Sequence, residues 1–94
     1  MPSYLVETFL PRGGAGERTA RERRARSAAE ELTRHGARVR FDQTIHVPED
    51  EICFFVFDAP SSRAAVLAAQ LAKLGPVRIV EAVSSDNSDR EEKR

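Results

Sequence analysis

Two side chains with metal-binding chemistry lie close together in the middle of this 94-residue chain, namely His46 and Cys53. An imidazole and a thiolate are typical ligands of nickel, copper or zinc. If Val47 pairs with Ile52 across the sequence PEDE, the register of the hairpin places His46 beside Cys53. Because a closed site needs about four ligands, we expect carboxylates or a second copy of the chain to supply the others.

Three carboxylates are candidates to complete this site. Glu7 and Glu81 lie inside otherwise apolar segments, where a charge is costly unless it is paired. Asp42 belongs to the same alternating segment as His46. The sequence therefore predicts a metal site on the sheet face that carries no helices, with these ligands: His46, Cys53, Glu7, Glu81 and Asp42.

Each candidate also has an interpretation that involves no ligand. A buried cysteine most often acts as a small hydrophobic residue, and a histidine near the end of a hairpin is most often exposed. Glu7 and Glu81 could pair with an arginine of a neighbouring strand or subunit; the candidates are Arg38, Arg40 and Arg78. The other histidine, His35, falls in the last turn of a predicted helix, where its charge suits the helix dipole. These alternatives stay open at the level of sequence.

Residues 39–60, which would position His46 and Cys53, are predicted to form a hairpin. Before the turn, apolar residues alternate with polar ones, which is typical of a strand with one apolar face: Val39, Phe41, Ile45 and Val47. The same register places Thr44 opposite Phe55 and Asp42 opposite Phe57. Residues 52–57 are apolar without interruption, so we expect the second strand of the hairpin to be covered on both faces.

The rest of the chain predicts two further strands, residues 3–10 and 76–83, and two helices. The first helix, residues 17–35, ends at Gly36 and has one thin apolar face. The second begins at a serine cap near Ser61 and ends at Leu74. Its apolar stripe contains Ala64, Leu67, Ala68, Leu71 and Leu74. Residues 84–94 contain no large apolar residue, so we predict a domain over residues 1–83 and a disordered polar tail.

The order strand, helix, strand, strand, helix, strand predicts an α+β ferredoxin-like fold, βαββαβ, with a four-stranded antiparallel sheet. In this topology the first and third strands are central, both helices cover one face, and the other face is bare. Because the third strand is apolar on both sides, we expect a second copy of the chain to cover the bare face. The predicted assembly is a homodimer of the dimeric α/β-barrel type.

Four motifs carry a further suggestion: YLVE shortly before Pro11, the hairpin with PEDE and its aromatic return strand, FDAPSS at the start of the second helix, and the final RIVEAV. Together they resemble a family of small actinobacterial ferredoxin-like proteins of uncharacterised function, over residues 2–83. One branch of that family is described as nickel-binding or nickel-responsive. The resemblance therefore implies nickel or another divalent transition metal as a cofactor.

Composition argues against several partners. Fifteen Lys and Arg residues balance fifteen Asp and Glu residues, so no global field attracts nucleic acid or an acidic membrane surface. The longest apolar run, residues 64–69, is much shorter than the roughly 20 residues that span a bilayer. A single cysteine excludes an internal disulfide. We expect a cytoplasmic protein.

These observations favour a non-enzymatic homodimer that binds a metal ion or another small ligand at the sheet face or the dimer seam. A related possibility is a regulatory module whose dimer offers a groove to a partner. The alternative is a cofactor-free monooxygenase or cyclase of the dimeric α/β-barrel type that acts on a small aromatic substrate, by analogy of fold. Its pocket would be lined by Phe9, Phe41, Phe54 and Phe57. The chain has no Ser/His/Asp set for catalysis, so the binding protein is preferred.

Overall fold

Two helices lie on one side of a four-stranded antiparallel sheet in the computed structural model of the chain, which describes residues 1–83. The elements are β1 (Ser3–Phe9), α1 (Ala15–Arg34), β2 (Arg40–Val47), β3 (Ile52–Asp58), α2 (Ser62–Leu71) and β4 (Arg78–Ala82). The sheet order is β2-β3-β1-β4, so β1 and β3 are central. The predicted α+β ferredoxin-like fold is confirmed. The tail predicted for residues 84–94 lies outside the described residues.

Small residues allow both helices to lie close to the sheet. α1 packs on β2 and β3, and α2 packs on β4 and β1. The largest fully buried side chains come from the strands or the ends of strands, for example Phe55 and Phe57, whereas the helices bury alanines: Ala25, Ala28, Ala29, Ala64, Ala65, Ala68 and Ala69. Over residues 1–83, nine of the nineteen buried apolar residues are alanine. Since each alanine removes little apolar area from water, the two helices add little to the apolar area that the core buries.

The predicted apolar stripe of α2 is buried in part, since Ala64, Ala68 and Leu74 of that stripe lie in the core. Leu67 and Leu71, predicted to be buried, are 42% and 49% exposed, and the alanines beside them contact the core instead. α2 packs on the sheet through its alanines because small side chains allow a helix to lie closest to a sheet. The predicted serine cap is confirmed, since Ser61 Oγ accepts a hydrogen bond from the Ala64 amide at 3.2 Å. Neither described helix is long and apolar enough to cross a membrane.

β2 contains an irregularity that changes which face its residues occupy. Phe41 pairs with Phe57, but Gln43 pairs with Val56, so Asp42 is an extra residue without a partner in the register. The predicted pairing of Asp42 with Phe57 is therefore wrong. An extra residue reverses the alternation, so Phe41 lies under the helices while Ile45 lies on the other face. Beyond the irregularity the predicted register holds, including His46 opposite Cys53.

Candidate functional site

The pair formed by His46 and Cys53 lies on the helix-covered face of the sheet, and the predicted position on the bare face is corrected. Thr8 of β1 pairs with Cys53 of β3, which in turn pairs with His46 of β2. Thr8 and Cys53 are 1% and 0% exposed. Arg18 of α1 donates a hydrogen bond from Nη1 to His46 Nδ1 at 3.3 Å. The extra residue Asp42 explains why His46 lies on the helix-covered face, because it reverses the alternation of β2 before His46.

Hydrogen bonds connect this polar group to the first turns of α1. Thr8 Oγ1 donates to the Cys53 carbonyl at 2.9 Å, and Arg21 Nη1 donates to the Phe9 carbonyl at 2.9 Å. Glu17 accepts a hydrogen bond from Arg21 Nε at 2.8 Å, and this bond lowers the pKa of the Glu17 carboxyl. Burial raises the pKa of the Cys53 thiol above its ordinary value. Cys53 is therefore a protonated, buried thiol at neutral pH, as in the interpretation that gives it a packing role.

The three predicted carboxylates do not join His46 and Cys53. Glu7 lies on the opposite face of the sheet, where its Oε1 accepts a hydrogen bond from Arg78 Nε at 2.8 Å. The alternative that pairs Glu7 with a neighbouring arginine is thus confirmed. Glu81 is exposed on the edge strand β4, and Asp42 is exposed at the irregularity of β2.

A metal site does not fit these positions. Within residues 1–83, no group of three or more His, Cys, Asp and Glu side chains could hold a metal ion. His46 and Cys53 supply at most two ligands, and the thiol of Cys53 would have to lose its proton in a buried environment. Glu7 is separated from them by the thickness of the sheet. The nickel implied by the resemblance therefore finds no ligand set in a single chain over these residues.

The four phenylalanines that would line an aromatic pocket are divided between the two faces. Phe41 and Phe57 pack edge to face in the helix-side core, with ring centroids 5.5 Å apart. Phe9 and Phe54 lie on the opposite face of the sheet, in register with Ile52 and Glu7 respectively. They do not line a common pocket.

We define the open face as the sheet surface opposite the helices, and it is the candidate functional site because it carries large apolar side chains. Phe9, Ile45 and Val80 on this face are 56%, 42% and 37% exposed. The register places Val80, Leu5 and Val56 side by side in one row, and Phe54 beside Ile45 in the next. Apolar surface thus runs continuously from the edge strand β4 to the edge strand β2.

Two ion pairs lie among the apolar side chains of the open face. Glu7 and Arg78 form one pair, on β1 and β4. Arg40 and Asp58 form the other, on β2 and β3, and Ser3 Oγ donates a hydrogen bond to Asp58 Oδ1 at 2.7 Å. The charged residues at the paired strand positions of this face are therefore two cations and two anions, each with a partner. No sequence motif singles out Asp58 and Ser3, because their pairing depends on the register of β1 with β3.

Comparisons of the chain with protein-family models, with curated proteins and with solved structures found no match. The resemblance to the family of small actinobacterial ferredoxin-like proteins stays a prediction. The fold and the site define a ferredoxin-like α+β domain that carries an apolar face on the side of its sheet without helices.

Proposed function

We propose that the chain is a homodimeric binding protein, not an enzyme, in which two copies pack with their open faces together. The observation that carries this proposal is the continuous apolar surface of the open face, with Phe9, Ile45 and Val80 exposed by 37% or more. Contiguous apolar surface of this kind marks interaction sites in proteins that are not embedded in membranes.

The distribution of residue sizes supports a second copy as the occupant. The buried residues of both helices are alanines, while Phe9, Phe54 and Ile45 lie on the open face. A domain of this size buries a smaller fraction of its surface when it folds alone than a larger domain does. Covering the exposed half of Phe9 alone would stabilise each copy by about 2 to 3 kcal/mol, from the area of the ring and the usual value per unit of apolar area.

The charges of the open face also favour self-association. A face with a net charge would repel an identical face. Here Glu7 is paired with Arg78, and Asp58 with Arg40, so the two signs balance at the paired strand positions. Glu7 lies opposite Phe54 on the central strand β1, so the dimer would enclose its carboxylate together with its partner Arg78 and not as a single charge.

The other predicted functions receive less support. The monooxygenase or cyclase would need the four phenylalanines around one pocket, and they occupy two faces of the sheet. A nickel or zinc site is not part of the proposal, because the described residues hold no suitable cluster of ligands. The proposal therefore assigns binding to the surfaces of a dimer.

The test compares two variants whose wild-type side chains are equally exposed. Ile45 on the open face and Leu67 on α2 are both 42% exposed in the single chain. In light scattering at micromolar concentration we expect wild type and Leu67→Glu to show twice the 10.5 kDa chain mass. Ile45→Glu should show the mass of one chain, because each interface would then bury two unpaired carboxylates.

Circular dichroism of all three proteins checks that the substitutions leave the fold intact. A wild-type chain that stays at 10.5 kDa over the whole micromolar range contradicts the proposal. The proposal is equally contradicted if Ile45→Glu associates as strongly as wild type.

A further inference from the structure

A second apolar surface lies on the other side of the molecule, between the outer surfaces of α1 and α2. Leu67 and Leu71 of α2 are 42% and 49% exposed there, and Leu32 of α1 lies partly buried beside them. These leucines line a groove of about 340 Å³. Leu71 also lines an adjoining groove of about 510 Å³, whose other wall includes Ala28. We call the two together the helix groove; the proposed dimer does not use it.

One end of the helix groove is basic. Arg23, Arg24 and Lys73 line it. Arg24 is held in place because its Nε donates a hydrogen bond to the Ala72 carbonyl at the end of α2, at 2.8 Å. Arg23 and Lys73 have no ion-pair partner within residues 1–83. The acidic residue of this lining, Glu31, is already paired with Arg34.

We propose that the helix groove binds an acidic amphipathic α-helix of another protein. Two helices side by side form a concave, rod-shaped surface, which a third helix fits by packing its ridges into the groove. Apolar side chains of the bound helix, at spacings of three and four residues, would contact Leu67 and Leu71. Carboxylates near one of its ends would pair with Arg23 and Lys73, which fixes the direction of binding.

The length of the groove sets the size of the occupant. On α1 the lining extends from Arg23 to Leu32. Nine residues of helix rise by about 14 Å at 1.5 Å per residue, so a bound segment of roughly three turns would cover it.

Other occupants fit the helix groove less well. A second copy would bring Arg23 and Lys73 of two chains into one interface, where like charges repel. An anionic membrane surface would contact only part of each leucine, because Leu67 and Leu71 are about half exposed. α1 also carries Glu22 and Glu30 on its outer side, next to Arg23 and Arg26. Those carboxylates lie outside the lining of the helix groove, so a helix bound in the groove would avoid them, whereas a layer of acidic lipid headgroups over α1 would meet them.

The experiment uses the full chain and a displayed library of short amphipathic helices. Their apolar positions repeat at three- and four-residue spacing, and their flanking positions are randomised between Glu and Lys. We expect selection on the wild-type chain to enrich helices with Glu at the flanking positions. The selected helices should bind Leu71→Ser about tenfold or more weakly, because an apolar anchor is lost. They should also bind the double variant Arg23→Ala, Lys73→Ala more weakly, with a smaller dependence on salt.

Ile45→Glu is the control that separates this inference from the proposed dimer, since Ile45 lies on the opposite side of the sheet. Binding per chain should be the same in Ile45→Glu and wild type. Enrichment of Lys as often as Glu, no enrichment of any helix, or equal binding to Leu71→Ser would overturn the inference.

Two further measurements test the competing occupants directly. Vesicles of phosphatidylcholine and phosphatidylserine should not bind the wild-type chain; binding that Leu71→Ser abolishes would overturn the inference in favour of a membrane. Light scattering should show the same mass for wild type and Leu71→Ser. A mass that falls in Leu71→Ser would overturn it in favour of a second copy.

Discussion

Cys53 lies between Thr8 and His46 on neighbouring strands, beneath α1, and is fully buried. Burial raises the pKa of its thiol, so the thiolate that would bind a metal or attack a substrate is scarce at neutral pH. The sequence could predict that His46 and Cys53 are neighbours, because the turn between them fixes the register. It could not predict their face, which depends on an extra residue several positions away.

The buried thiol gives a prediction for stability against pH. The folded chain holds the Cys53 proton more tightly than the unfolded chain does, since the pKa is raised from 9.0 in the folded state. The resulting stabilisation is complete below that ordinary pKa and is lost as pH rises through the higher folded value. Near neutral pH we expect Cys53→Ala to cost about 1 to 2 kcal/mol, from the lost contacts of the sulfur.

Urea unfolding of wild type and Cys53→Ala checks this at several pH values. The advantage of wild type should be constant near neutral pH and should shrink above pH 9, because only wild type has a thiol that ionises on unfolding. An advantage that grows as pH rises above 9 would show that the thiol is stabilised as the thiolate, contrary to this account.

At the scale of elements, the irregularity in β2 shows where sequence patterns stop being informative. The alternation of apolar residues correctly predicts a strand, and the turn correctly predicts its pairing with β3. The extra residue, Asp42, is neither glycine nor proline and interrupts no pattern that the sequence displays. Consequently Phe41 and Ile45 read as one face of the strand, although they lie on opposite faces of the sheet.

α2 presents a different difficulty, because it carries two faces that could pack. One contains Leu67 and Leu71, and the other contains alanines such as Ala65 and Ala68. A search for hydrophobic spacing favours the leucines, since they are larger. Close packing on the sheet favours the alanines, and this preference depends on the partner surface, which a single helix sequence does not contain.

The orientation of α2 predicts unequal effects for two neighbouring substitutions. Ala68 is fully buried and Leu67 is 42% exposed. Ala68→Leu should destabilise the chain by about 1 to 3 kcal/mol, because added methylenes force α2 away from the sheet. Leu67→Ala should change the free energy of unfolding by less than about 1 kcal/mol. Denaturant unfolding of both variants measures the difference, and the reverse order of effects would show that the leucine face packs.

At the scale of the whole molecule, two apolar surfaces lie on opposite sides of the chain. The open face of the sheet carries balanced ion pairs and is assigned to a second copy. The helix groove ends in Arg23 and Lys73, which have no ion-pair partner within residues 1–83, and we propose that it binds an acidic helix. A dimer built through the open faces would present two helix grooves outwards, so a partner with two acidic helices would gain avidity.

The sequence predicted this organisation only in part. The uninterrupted apolar run of β3 was sufficient to indicate that the open face carries apolar side chains, because a strand in that position is central in the topology. The helix groove could not be predicted, because Leu67 and Leu71 were assigned to the core. The groove exists because α2 packs on the sheet through its alanines and leaves Leu67 and Leu71 exposed.

The central claim is that the open face is covered by a second copy of the chain. Methyl NMR with a soluble paramagnetic agent tests it most directly, because Ile45 and Leu67 are both 42% exposed in the single chain and serve as each other's control. The account predicts that the agent broadens the Leu67 methyl signals and leaves those of Ile45 protected. Equal broadening of both at micromolar and higher concentration would contradict it.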